Sequence, residues 1–146
     1  MYSNMYTKLV IYLLFISPFV SAKTTYPDIT ISSVVSVYDG DTIKVNIANY
    51  PDVIGEAISI RIRGIDAPEN RSKCTSEKAK AIKAKDYLKA LLANAGVIRL
   101  TQVERGKYFR LVANVLVDGV NINQLMIDQG LARTYDGMSK RETWCN

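Results

Sequence analysis

Histidine is absent from this chain of 146 residues. Without an imidazole, a Ser-His-Asp triad, a histidine general base and a His-ligated zinc site are all excluded. Catalysis here has to rest on carboxylates, arginines, lysines, tyrosines and a metal ion. Long apolar runs are missing too. The stretch Leu9 to Val20 is about a dozen residues and is broken by Pro18, whereas a membrane-spanning helix needs roughly 20. Repeats and low-complexity segments do not occur. Cysteine appears only twice, as Cys74 and Cys145.

The short apolar stretch has another use. Lys8 gives it a small positive flank, and Val20-Ser21-Ala22 offers the small residues after which a signal peptidase cuts. Residues 1–22 read as a signal peptide, with the mature chain starting near Lys23. A secreted or periplasmic protein is expected, monomeric and without stable membrane association after cleavage. Losing that segment removes one lysine and no acid, so the formal charge falls from +5 to +4. The remaining 23–146, about 124 residues, suits one domain with one core. A basic balance fits a polyanionic partner, although solubility alone would also produce it. In an oxidising compartment two cysteines suggest one disulfide; two unpaired or intermolecular thiols are the alternative. A Cys74–Cys145 bridge would close a loop of about 70 residues, worth roughly 4 kcal/mol by loop entropy.

β-Branched residues from Ile29 to Val37 predict a strand ending at the Tyr38-Asp39-Gly40-Asp41 turn. Thr42 to Ile47 alternates apolar and polar residues, and an Asp-Gly pair between two such runs signals a hairpin. Ala57 to Ile65 predicts a third strand, with Ile58, Ile60 and Ile62 on one face and Ser59, Arg61 and Arg63 on the other. Thr75 or Ser76 is placed to cap a helix running to about Asn94. Its apolar stripe is Ala81, Ala84, Leu88, Leu91, Leu92 and Ala95, and Gly96 stops it. Val97 to Val103 and Arg110 to Val117 predict two more strands around a polar tip. Asn121 with Gln124 resembles a capping box for a short helix ending at Gly130. Five strands with a helix between the third and fourth describe a mixed α+β protein, an OB-like Greek-key barrel with a short helix after strand 5. Architecture alone does not choose a function.

The chemistry concentrates in Arg61-Ile62-Arg63-Gly64-Ile65-Asp66-Ala67-Pro68-Glu69. Cutting a phosphodiester requires neutralising the non-bridging oxygens, activating a water and holding the parts in line. Asp41 and Asp66, each at a strand end, are candidate ligands for a hard cation. Glu69 follows Pro68, whose fixed φ stiffens the turn, and is the candidate base or water-positioning group. Arg61 and Arg110 are candidate bidentate phosphate grips; Arg63 shares a face with Arg61 and is a weaker one. Lys107 and Tyr108 could contact phosphate and base. The helix lysines Lys78, Lys80, Lys83, Lys85 and Lys89 read as a solvated face.

Taken together, Val37-Tyr38-Asp39-Gly40-Asp41-Thr42, Arg61 to Glu69, Lys107-Tyr108-Phe109-Arg110 and Gln129-Gly130-Leu131-Ala132 resemble the staphylococcal-nuclease-like (thermonuclease) family over about 33–132. The resemblance implies a five-stranded OB-like barrel. It also implies Ca²⁺-dependent hydrolysis of DNA and RNA at the bond to the 5′ oxygen, leaving 3′-phosphates. It casts Asp41, Asp66 and the Ala67 carbonyl as Ca²⁺ ligands, Glu69 as base, Arg61 and Arg110 as the phosphate-binding arginines, and Lys107 and Tyr108 as substrate contacts. The chain departs from the pattern at Gly106 and Phe109. The segment after Ala132 is expected to lack most of the family's third helix, with the disulfide serving as a tie in its place, and Tyr135 is the candidate for base stacking there. Two other readings stand beside the nuclease: an inactive OB-fold nucleic-acid-binding module of the envelope, and a structural envelope domain. The presence of all five of Asp41, Asp66, Glu69, Arg61 and Arg110 counts against the first, and the second predicts neither divalent-ion dependence nor salt-sensitive nucleic-acid affinity.

Overall fold

The alternation of apolar and polar residues read above builds a sheet with one buried face. A computed structural model describes residues 25–145; the proposed signal peptide lies outside them. In chain order the elements are β1 (Ile29–Thr30), β2 (Ser33–Asp39), β3 (Thr42–Asn46), α1 (Asp52–Gly55), β4 (Ile58–Ile62), β5 (Ile65–Asp66), α2 (Thr75–Ala93), β6 (Ile98–Arg105), β7 (Arg110–Val117), β8 (Val120–Asn121), α3 (Ile122–Asp128) and β9 (Arg133–Thr134).

The main sheet runs β1-β6-β7-β4-β3-β2, with β8 added on β7. β1 and β2 therefore lie at opposite edges, yet only Ile31 and Ser32 separate them. The sheet has to curl for this to be possible. Ile31 N–H donates to the Ile98 carbonyl at 3.1 Å and Ser32 N–H to the Asn46 carbonyl at 2.8 Å, so these two residues carry the chain from one edge to the other. The single first strand expected over 29–37 is thus two, turning between partners. Strand three is also cut. Gly64, at φ +73°, swings the chain out of β4 into β5, which pairs with β9 in a separate two-stranded sheet. Among the described residues nine strand segments stand where five were expected: two come from strands that change partners as the sheet curls, and two, β8 and β9, are short pairs outside the expected strands.

Within the curl sit Ile43, Val45, Ile58, Ile60, Ile62, Leu100, Val103, Ala113 and Val115, all buried. Helix α2 covers them with Ala84, Leu88 and Leu92, and α3 adds Ile122 and Met126. The start of α2 differs from the reading by one residue. Cys74 is its N-cap, its sulfur accepting from the Glu77 N–H. At α3, Asn121 does cap, accepting from the Asn123 N–H at 2.9 Å, but the Gln124 amide donates to Asp128 instead of returning, so the capping box is half formed. Cys74 and Cys145 are disulfide-bonded across 71 positions.

Gly40 is needed for closeness and not for its backbone angle. A Cβ there would stand 2.8 Å from the Cβ atoms of both Ala67 and Ala84. The β2–β3 turn is thereby pressed against α2 and the turn after β5, which brings Asp41 to Asp66.

Candidate nucleic-acid-cleaving site

Strand register places the two arginines. In the antiparallel β3–β4 pair Thr42 faces Arg61, and in the parallel β4–β7 pair Ser59 faces Arg110. Residues two apart on a strand share a face, so Arg61 and Arg110 emerge together on the side opposite Ile60, Ile62 and Ala113. They open into a cleft of about 390 Å³ lined by four carboxylates, Asp39, Asp41, Asp66 and Glu69, and four guanidiniums, Arg61, Arg71, Arg110 and Arg141. Tyr38, Thr42, Asn70 and Tyr135 complete the lining.

Asp41 is fixed from three sides. Its Oδ2 accepts from the Ala67 N–H at 2.8 Å, its Oδ1 accepts from the Thr42 hydroxyl at 2.9 Å, and the same Oδ1 lies 2.7 Å from Arg61 Nη1. Arg61 Nη2 reaches to 3.8 Å of Asp66 Oδ1, so one planar group spans both acids, whose side chains are each 7% exposed. Asp66 Oδ2 accepts from the indole N–H of buried Trp144 at 3.1 Å. Glu69, half-exposed, is steadied through its backbone, its N–H donating to Glu77 Oε1 at 3.1 Å in the first turn of α2. Burial pulls the Glu77 carboxyl up, but hydrogen bonds from Ser72 and the Glu69 N–H outweigh it and hold the group below its usual range. Asp39 behaves oppositely: burial, then the neighbouring Asp41 charge, push it up to about 7.

Arg141 was not singled out from the sequence. Its guanidinium pairs with Asp66 through Nε and with Glu69 through Nη1, and Nη2 donates to the Ala67 carbonyl at 2.8 Å. Burial lowers its proton affinity, but the Asp66 and Glu69 charges more than offset this, so it is raised overall. Trp144 was missed as well. A signal for both existed in the cysteines: a Cys74–Cys145 bond brings the residues just before Cys145 beside the turn that holds Glu69.

The site unites Asp41, Asp66, Ala67, Glu69, Arg61 and Arg110 as expected from their motifs. It does not gather the others. Lys107 and Tyr108 lie at the exposed β6–β7 tip outside the cleft, Tyr108 being 88% exposed with its ring 5.9 Å from Arg110. Arg63 lies outside the cleft, where it pairs with Glu104 at 3.0 Å and donates to the Gln102 carbonyl. Tyr135 does line the cleft.

A hard cation can be tested against these donors. Asp66 Oδ1 is buried and has no aligned hydrogen bond, with the Ala67 carbonyl alongside. Oxygen donors of this kind suit a hard divalent ion. Among the described residues no group of three acids, cysteines or histidines converges, so an ion would have few protein side chains on it.

Comparison with known proteins agrees with the geometry. Residues 59–144 match the sequence profile of the staphylococcal nuclease homologue family, and the chain belongs to that family. It is 34% identical over 104 residues to an uncharacterized endonuclease of Escherichia coli, covering 70% of this chain and 60% of the relative. Similarity to a probable endonuclease of Schizosaccharomyces pombe is 36% over 93 residues, 59% of this chain and 40% of the relative. A thermonuclease of Staphylococcus hyicus is 31% identical over 117 residues, covering 80% of this chain and 66% of the relative. The chain thus spans about three fifths of the E. coli relative's length.

Proposed function

We propose that this protein is an exported, Ca²⁺-dependent nuclease that hydrolyses phosphodiester bonds of DNA, RNA or both and leaves 3′-phosphates. The observation that carries the reading is the cleft in which Arg61 spans Asp41 and Asp66 while Arg110 and Glu69 line the same cavity.

Arg61 and Arg110 bind the non-bridging oxygens of the scissile phosphate as planar donors. Arg110 Nε, buried and without a partner in the free protein, has a donor to give. Glu69 takes the proton of a water whose oxygen attacks phosphorus; the bond from phosphorus to the 5′ oxygen breaks, and the departing oxygen takes a proton from solvent, leaving a 5′-hydroxyl and a 3′-phosphate. Asp41, Asp66 and the Ala67 carbonyl would hold Ca²⁺, which when bound supplies positive charge at the phosphate as negative charge builds there. Trp144 keeps Asp66 turned with Oδ1 toward the cleft. Lys107 and Tyr108, at their exposed tip, contact nucleic acid beyond the scissile bond. The disulfide and the N-terminal 1–22 support a secreted or periplasmic enzyme.

Digestion of single- and double-stranded DNA and of RNA in Ca²⁺, in Mg²⁺ and in EDTA, beside Glu69→Gln, tests this reading. Calcium-dependent cleavage that drops by about 10²–10⁴ in the variant is expected of a carboxylate base. Absence of cleavage with salt-sensitive binding intact would make the protein an inactive nucleic-acid-binding module instead.

A further inference from the structure

The segment that follows β9 contributes Tyr135 and Arg141 to the cleft lining and is held at both ends. At one end β9 pairs with β5, and the Tyr135 N–H donates to the Gly64 carbonyl at 2.9 Å. At the other, Trp144 is buried under Arg133, whose guanidinium sits 3.9 Å from its ring. The Trp144 carbonyl accepts from Lys80 Nζ at 2.9 Å, and Cys145 is bonded to Cys74. Between these anchors residues 136–140 are exposed, with Gly137 at φ +83°. Arg141 is the residue of this span that reaches inward.

Every group it touches has another use. Its three contacts are Asp66, Glu69 and the Ala67 carbonyl: two groups proposed as cation ligands and the proposed base. A divalent ion sits at about 2.3–2.6 Å from such oxygens. A guanidinium whose Nη2 is already at 2.8 Å from the Ala67 carbonyl, and whose Nε is paired with Asp66, occupies the same space and carries the same sign of charge. Both cannot be seated at once. The seat of Arg141 is ionic and poorly directed on the Asp66 side, where neither its Nε nor Asp66 Oδ1 makes an aligned hydrogen bond.

We propose, resting on the cation reading of Asp66 and Ala67, that Arg141 is a resident counter-ion of the site, which a divalent cation must displace before the site can work. The span 136–143 then lifts as a strap, while Trp144 and Cys145 stay anchored and keep the freed guanidinium near the cleft mouth.

The sign of a substitution separates this from a simple clasp. A clasp that merely supports the site loses cation affinity when broken; a competitor, once removed, raises it. The test is a Ca²⁺ titration of the full mature, disulfide-bonded protein by calorimetry and by fluorescence of Trp144, the one tryptophan and a direct partner of Asp66. Arg141→Gln and Arg141→Ala should bind Ca²⁺ about tenfold more tightly, the factor expected if the unseated state is near a tenth of the population. Arg141→Lys, which keeps the charge, should stay close to the parent protein. Folded Gln or Ala variants with unchanged or weaker Ca²⁺ affinity would overturn the competition while leaving the cation site intact. No Ca²⁺ binding by any form would mean that the cation reading itself has failed, and the competition with it. Hydrogen exchange in the parent protein gives a second check that needs no variant. Amides of 136–143 should exchange faster on adding Ca²⁺, and unchanged or slower exchange would refute displacement.

Discussion

On the sheet side of the cleft, each functional group is set by backbone. Strand register aims Arg61 and Arg110, the Ala67 N–H grips Asp41, and Gly40 allows two turns to touch. On the opposite side the groups are set by side chains hung from a strap: an indole on Asp66 and a guanidinium on Asp66 and Glu69. The two sides share Asp66: Arg61 pairs it together with Asp41, and Arg141 pairs it together with Glu69. The sheet side does so in a buried setting where Arg61 is 15% exposed, and the strap side where Arg141 is 33% exposed. Burial makes an ion pair costly to break and exposure makes it replaceable, so one wall is built to persist and the other to exchange.

The contrast can be broken most forcefully at the arginines. Arg61→Leu leaves Asp41 buried without its counter-charge and should cost about 3–5 kcal/mol. Arg141→Leu should cost under about 1 kcal/mol. Urea unfolding in EDTA checks both, and equal losses would erase the distinction. Next comes the covalent tie. The double substitution Cys74→Ser, Cys145→Ser should lose about 4 kcal/mol, as a loop of about 70 residues is freed; serine at 74 can still cap α2. Thermal unfolding with and without reductant provides the comparison. That result would place the stability of the strap wall in its anchor and not in its charge.

Gly40→Ala probes the sheet wall directly. Its added Cβ meets two Cβ atoms at 2.8 Å, so a loss of about 1–3 kcal/mol is expected, with weaker Ca²⁺ binding as Asp41 shifts. The smallest effect is a titration. Asp39 has its folded pKa raised from 3.8 to about 7 by burial and by Asp41. Between those values the folded protein holds a proton that the unfolded chain has released, so this residue's contribution to stability falls as pH rises through the window. Asp39→Asn should therefore raise the melting temperature at pH 8 and leave it nearly unchanged near pH 4, measured in EDTA.

The two walls also differ in how far they could be read in advance. The acids at strand ends, the arginine face of β4, the strand opening at Arg110 and helix α2 follow from residue periods and turn chemistry, which are local. The break between β1 and β2 does not, because Ile31 and Ser32 turn only when both sheet edges exist. Gly40 looked like a hairpin glycine, and its close approach to Ala67 and Ala84 is a tertiary fact. Arg141 and Trp144 sit in a stretch with no period at all. They reach the site because of one bond between distant cysteines, and that bond was itself visible in the sequence.

β4 and β7 are parallel, so they cannot pair until the long crossover between them has been completed. A chain emerging from the ribosome displays Asp41, Arg61, Asp66 and Glu69 well before Arg110 has been added. The acids then stand beside two of the four guanidiniums that line the finished cleft, Arg61 and Arg71, and the other two, Arg110 and Arg141, arrive last. The cleft is thus complete only after β7 and the segment that carries Arg141 have been added. A prematurely terminated chain carries the acidic motif but has no cleft in which to use it.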